Sequence, residues 1–447
     1  MGKRIEGEGK MKKKILLMVL AACMLTGCGK DEATDASKET TVNSEEKETT
    51  KKPVSEKVDL STIEAGISED FMYGVDISTL IAQENSGVKY YNEAGEEEDL
   101  LKILADNGVN TVRIRVWNDP YDENGNGYGG GNCDTANAIA IGKRATENGM
   151  TCMIDYHYSD FWADPAKQMC PKAWKGMSID EKSEALYDFT KDSLKQILDA
   201  GVDVSLVQIG NETTSGMSGE TNWKNISKLM NSGSKAVREL STEYKKDILV
   251  AIHFTNPEKS GKYVTYAMNL KNNNVDYDVF ASSYYPFWHG TLDNLEKVLG
   301  QIVENYGKKV MIAEISYSYT MDDLDGHQNS IYDGAWGEFN YEMSTDSQIK
   351  VVKDCVEAIS SLGEYAIGIC YWEPAWIPVP GADATERAVL WEKYGSGWAS
   401  SFAAGYDAKD AGQYYGGSAW DNQAWFDKDG KPLDSVNTYE KIKEELE

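Results

Sequence analysis

The stretch DVSLVQIGNE, Asp203 to Glu212, carries an apolar run that stops at Gly210 and delivers an asparagine and a glutamate side by side. A short run of this kind, closed by glycine, reads as a strand covered on both faces. Others like it stand before and after: FMYGVDI (71–77), NTVRIRVW (110–117), TCMIDYH (151–157), DILVAIH (247–253), DVFASS (278–283), KVMIAEI (309–315) and AIGICYW (366–372). Helical stretches lie between them. EEEDLLKILADNG places Leu100, Leu101 and Leu104 on one face and ends on Gly108. SEALYDFTKDSLKQILDAG ends on Gly201, and TLDNLEKVLGQIVENYG runs from a threonine cap to Gly307. Eight strand–helix units predict a parallel sheet closed into a (β/α)₈ TIM barrel. The open doubly wound alternative wants a glycine-rich phosphate loop after its first strand, and YGVDISTLI (73–81) has none.

In such a barrel the chemistry sits at the C-terminal ends of the strands. Those ends offer Asp76, Arg113, Arg115, Trp117, Asp155, His157, Asn211, Glu212, His253, Tyr284, Tyr285, Glu314, Trp372 and Glu373. Glu314 interrupts an apolar strand, where a lone carboxylate is costly without a partner or a task. Glu212 and Glu314 end the fourth and seventh strands, across the mouth from each other. Two opposed carboxylates are what glycoside hydrolysis requires, one to protonate the leaving oxygen and one to attack the anomeric carbon. Arg113 and Arg115 on the second strand would keep Glu314 ionised, as a nucleophile needs. Glu212, beside an uncharged amide, is suited to hold its proton.

The bounds agree. The chain has 447 residues, 41% hydrophobic, with 12 Trp and 26 Tyr. Flat apolar sugar faces stack on such rings. A formal net charge of −28 repels phosphates and excludes nucleic acid as a partner. Near the N-terminus, MKKKILLMVLAACMLTGC has a basic start at Lys12 to Lys14 and an apolar run too short to span a bilayer as a mature helix. Met11 is the expected start codon. Leu25-Thr26-Gly27-Cys28 resembles the bacterial lipobox, which implies residues 1–27 as a lipoprotein signal peptide and lipidation of Cys28. Residues 28–66, rich in Thr, Ser, Glu and Lys, read as a disordered membrane tether, with residues 67–447 as the catalytic domain. The expected location is the outer face of a bacterial membrane, lipid-anchored or partly secreted, and the expected state a monomer. Cys133, Cys152, Cys170, Cys355 and Cys370 read mostly as buried thiols with at most one or two disulfides. Residues 373–447 read as a long loop and one closing helix.

An Asn-Glu pair after strand four and a glutamate on strand seven resemble the clan A retaining glycosidases. More narrowly, GVDIS, LADNGVNTVRIRVWNDP, DYHYSDFWADPAKQ, QIGNE, SSYYPFWHGTLDNL, IAEISYSYT, YWEPAWIPV and GSAWDNQAWFD resemble glycoside hydrolase family 53, the endo-β-1,4-galactanases, over about residues 68–430. The resemblance implies hydrolysis of β-1,4-galactan, with Glu212 as acid/base, Glu314 as nucleophile and Asn211 on the 2-hydroxyl. It implies Arg113 and His157 holding the nucleophile and sugar, and Trp117, Asp155, Tyr285, Trp288, His289, Trp372 and Trp376 as cleft lining. Ile315 stands where the family pattern leads one to expect a small polar residue, and the cysteines exceed the family's usual number. DDLDGHQN (322–329) sets Asp323, Asp325, His327 and Asn329 two apart, alternate donors that suit a hard cation such as Ca²⁺. Asp407 and Asp410 are the expected far-side ligands. Two readings compete: another clan A activity, a mannanase or xylanase, and a non-catalytic surface glycan-binding lipoprotein.

Overall fold

The computed structural model describes residues 57–409, 411 and 415–446. Its strands are β1 (Met72–Asp76), β2 (Thr111–Val116), β3 (Thr151–Tyr156), β4 (Val204–Ile209), β5 (Leu249–Phe254), β6 (Val279–Ser283), β7 (Lys309–Ile315) and β8 (Ala366–Trp372). They pair in chain order, all parallel, and β8 closes on β1. This is a (β/α)₈ barrel. Closure demands glycine at the seam: a Cβ on Gly74 would meet Cys370 Sγ at 2.5 Å, and one on Gly368 would meet Met72 Cβ at 2.5 Å.

The helices start and stop where local chemistry dictates. Ser178 and Glu181 form a capping box at the start of Ile179–Asp199. Thr291 caps Leu292–Tyr306, which ends on left-handed Gly307. The region after β8 departs from expectation. It holds an additional helix, Ala384–Tyr394, capped by Asp383 and closed by Gly395, before the final helix Thr438–Leu446. The domain also begins earlier than residue 67. Leu60 and Ile63 pack against the core, and the Val58 N–H donates to Glu304 O.

Alternate side chains divide two cores. Val112, Ile114, Ile154, Val207, Ile209, Val250 and Ile252 face the helices. Met153, Leu206, Ala251, Ala281, Met311 and Cys370 fill the barrel. Two residues further along several strands, on that same inward parity, the filling turns polar: Asp155 above Met153, Gln208 above Leu206, His253 above Ala251. On β7 the parity breaks. Ser282 pairs with Ile312 and Ser283 with Glu314, so β7 spends an extra residue there. β8 registers the same excess, with Ile369 and Tyr371 opposite Ile312 and Ile315. Ala313 belongs to the barrel filling and Ile315 to the helix-side core. The bulge thus turns Glu314 inward, where strict alternation would point it out toward the helices.

Candidate active site

The floor of the mouth is a buried ionic lattice. Asp76 accepts from Arg113 at 2.7 Å and from Arg115 at 2.9 Å. Arg113 Nη2 lies 2.9 Å from Asp155 and 2.9 Å from Glu314 Oε1, and also donates to Asn211 Oδ1 at 2.9 Å. Arg115 reaches Glu373 at 2.7 Å and is flanked by the rings of Trp162 and Trp372 at 4.7 and 5.4 Å. All are withdrawn from water, so each carboxylate depends on its guanidinium. Asp155 shows the outcome: burial would raise it, yet Arg113 and His157 hold it below the usual carboxylate range.

Above this floor stand the two glutamates. Ser283 Oγ lies 2.7 Å from Glu212 Oε1 and 3.4 Å from Glu314 Oε2. The nearest carboxylate oxygens can be no further apart than those two lengths laid end to end. That fits the roughly 5–5.5 Å spacing of retaining glycosidases and falls short of the roughly 6.5–9.5 Å of inverting ones. Their surroundings differ. Burial and the Glu314 charge push Glu212 up to about 8. Burial raises Glu314 as well, but Arg113 and the Tyr285 hydroxyl, 3.0 Å from Oε2, pull it back. Glu314 therefore ionises first and Glu212 keeps the proton. Glu212 and Glu373 both hold left-handed backbone, at φ 44° and 52°, a strained setting concentrated at functional sites.

The other expected site residues divide. Asn211 sits beside Glu212 with Oδ1 on Arg113 and Nδ2 donating to Ala163 O. Tyr285, Trp288, Trp372 and Trp420 form one aromatic wall, with Trp420 4.9 Å from Trp372 and 5.9 Å from Tyr285. His289 is buried behind it, pushed down to about 3 by burial, with Nδ1 accepting from the Tyr285 N–H. His157 has both ring nitrogens committed: Nδ1 accepts from the Ala163 N–H and Nε2 faces Asp155. It braces the floor and presents no free nitrogen to a sugar. Trp117 and Trp376 are fully buried. Trp117 packs against Phe161 and Trp162, and Trp376 donates to Ser396 O and stacks on Trp398. Both support the wall from behind. The strand-end reading gave no role to Gln208, Ser283 or His253, which link the lattice to Glu212.

Away from the mouth, Asp323, Asp325 and Asp421 bring carboxylate oxygens within 4.8 Å of one another. Asn329 Nδ2 donates to Asp421 at 2.7 Å, while its buried Oδ1 has no partner. Burial pushes Asp325 up to about 7 and Asp421 well above its ordinary value. The far-side member is thus Asp421. Asp407 is not in this group, and Asp410 lies outside the described residues. The five cysteines in the domain are all free thiols, four of them buried, which lies within the expectation of mostly buried thiols and at most one or two disulfides. Cys28 lies outside the described residues.

A closed parallel barrel with two opposed, unequally protonated glutamates at its C-terminal mouth defines the class of retaining glycoside hydrolases. Sequence comparison narrows the class: residues 72–439 match glycosyl hydrolase family 53, and the chain belongs to that family. An endo-beta-1,4-galactanase of Bacillus subtilis is 54% identical, over 84% of this chain and 86% of its own. An arabinogalactan endo-beta-1,4-galactanase of Cellvibrio japonicus is 33% identical over 73% and 85%. The solved family 53 catalytic domain of Ignisphaera aggregans superposes with a TM-score of 0.73 at 36% identity, covering 85% of this chain and 99% of that one.

Proposed function

We propose that this chain is a retaining endo-β-1,4-galactanase acting on galactan and type I arabinogalactan. One observation carries the reading: Ser283 bridges two glutamates of which only Glu314 touches a guanidinium. With galactan across the mouth, the Glu212 carboxylic acid protonates the departing glycosidic oxygen while Glu314 attacks the anomeric carbon. The resulting glycosyl-enzyme is hydrolysed by water that Glu212, now a carboxylate, deprotonates. Tyr285 and Arg113 hold Glu314 in line, and the Trp288, Trp372 and Trp420 wall offers stacking faces. The test is product analysis on linear β-1,4-galactan with proton NMR of the first product. Galacto-oligosaccharides released as the β-anomer are expected. An initial α-anomer overturns retention, and cleavage of mannan or xylan in place of galactan overturns the substrate.

A structural calcium ion fits the second cluster. Three convergent carboxylates, plus the orphaned Asn329 Oδ1, make a hard-oxygen donor set; the half-buried Arg387 donates to the Asp325 carbonyl, not to its carboxylate. Asp323, Asp325, Asn329 and Asp421 would hold the ion. It would tie the loop after β7 to the loop after β8, with no part in the bond-breaking. The lipobox at Cys28 supports a diacylglycerol anchor on the outer face of a bacterial membrane, and we take the domain to act as a monomer.

A further inference from the structure

We infer that Ser283 and His253 are positioning residues that hold the proton on Glu212, through an unbroken chain running from the Glu212 carboxyl to Ser283 Oγ, His253 and Asn211 Oδ1. The inference rests on the acid role assigned to Glu212 above. Its geometry is a file of close contacts. Glu212 Oε1 to Ser283 Oγ is 2.7 Å, Ser283 Oγ to His253 Nε2 is 2.9 Å, and His253 Nδ1 to Asn211 Oδ1 is 2.9 Å.

Hydrogens can be placed along it by elimination. A guanidinium has donors only, so Arg113 fixes Asn211 with Oδ1 toward itself, and Nδ2 points at Ala163 O. Arg113 likewise holds Gln208 Oε1, and the two Gln208 amide hydrogens go to Asp155 Oδ1 and Gly210 O, which leaves Nε2 only a neighbour of His253 Nδ1 at 3.2 Å. His253 Nδ1, 2.9 Å from the Asn211 oxygen, then carries the hydrogen. His253 is neutral, because burial and the Arg113 charge disfavour its cation. Nε2 is therefore bare and takes the single Ser283 hydrogen. Ser283 is left with lone pairs toward Glu212 Oε1. That contact is repulsive if Glu212 is a carboxylate and a hydrogen bond if it is an acid. A second setting exists, in which Ser283 donates to an ionised Glu212 and His253 shifts its hydrogen to Nε2. His253 Nδ1 would then accept from the Glu212 N–H at 3.3 Å or from Gln208 Nε2 at 3.2 Å while facing the Asn211 oxygen, 2.9 Å away, with a lone pair. The acid setting has the shorter contacts.

Other groups act on the same proton. Glu212 faces Glu314 on β7, Asp164 after β3, Thr255 after β5, Tyr285 after β6 and Tyr263 on the helix Lys262–Asn272. His253 faces Arg113 on β2, Asp155 and His157 on β3, and Gln208 on β4. None of these can accept the Glu212 proton through Ser283, so the chain's contribution has its own sign. In the acid setting Ser283 stabilises protonated Glu212, and its loss weakens proton binding. In the opposite setting Ser283 stabilises the carboxylate, and its loss strengthens it.

The experiment is the alkaline limb of kcat/KM against pH for wild type and Ser283→Ala on galactan. A limb displaced to lower pH is expected, corresponding to a roughly threefold to tenfold loss of proton affinity for one hydrogen bond. A limb that stays or moves to higher pH overturns the inference. Nitrogen-15 NMR of His253 in the wild-type protein decides independently of any variant's folding. Hydrogen on Nδ1 below the limb upholds the inference, and hydrogen on Nε2 overturns it. Failure of the acid role itself would show separately, as an unimpaired Glu212→Ala enzyme.

Discussion

Replacing Glu314 with glutamine isolates the electrostatic coupling between the two glutamates. The amide keeps the shape, its single oxygen can still accept from Arg113 and its NH2 can donate to the Tyr285 oxygen, but it removes the negative charge that Glu212 feels. The contacts through Ser283 put the nearest oxygens within about 6 Å. At an effective dielectric constant of about 20, two unit charges at that distance repel by about 2.8 kcal/mol. The proton on Glu212 should then leave roughly a hundredfold more readily. Its titration should fall from about 8 toward the ordinary carboxylate range without reaching it, because burial still favours the acid. Carbon-13 NMR of glutamate-labelled protein across pH measures this directly, with Glu212→Gln to assign the signal. A Glu212 titration unmoved in a folded Glu314→Gln protein would refute the coupling and with it the division of roles.

Glu314→Ala should lose essentially all activity on galactan, and azide should restore turnover with inverted product, an α-galactosyl azide seen by NMR. Glu212→Ala should lose about 10²–10⁴-fold on galactan but far less on aryl galactosides, whose leaving groups need no proton; equal losses on both, read from kcat/KM, count against the acid role. In the wild-type enzyme activity should fall as pH rises through about 8, where Glu212 loses its proton, and should fall again on the acid side as Glu314 gains one. Chelation should remove about 2.7 kcal/mol if calcium stands at about a hundred times its Kd, which lowers the melting temperature by about 3 °C for a domain this size; an unchanged melting curve with no calcium by elemental analysis removes the site. Cys28→Ala should abolish acylation, read as the missing diacylglycerol mass; wild-type protein found wholly in the medium without lipid contradicts the anchor.

The barrel was legible because a strand sandwiched between filling and helices must be apolar on both faces, and runs such as VSLVQI and VMIAEI advertise that. The glutamate pair was legible for the converse reason, since charge in such a run needs explaining. Aromatic content was a poorer guide. Trp117 and Trp376 lie at strand ends beside the mouth, but composition carries no information about which way a ring points, and both turned out to be packed behind the wall. Asp421 escaped because it lies 97 residues from Leu324, whose N–H it accepts, in a stretch with no donor spacing of its own. Ser283 escaped because a serine at a strand end has no signature until the groups on either side of it are known. The helix Ala384–Tyr394 had its Asp cap and terminal glycine in plain view, yet only Trp391 is buried, so its periodicity was faint.

The extra residue in β7 has a consequence for how this barrel could be simplified. Excising Ala313 would make the β6–β7 ladder regular while leaving Ser282 opposite Ile312 and Ser283 opposite Glu314, so the glutamate would keep both its inward face and its level in the barrel. What the shortened strand would lose is the Ala313 methyl from the barrel filling and the extra local twist that a bulge adds. That twist sets the angle at which the Glu314 carboxylate meets Arg113 and Tyr285. Such a shortened protein should stay folded yet cleave galactan more slowly; calorimetry beside a galactan assay would show whether regularity and aim are opposed. The spare position in the seventh strand thus governs the direction in which the nucleophile points, not its depth.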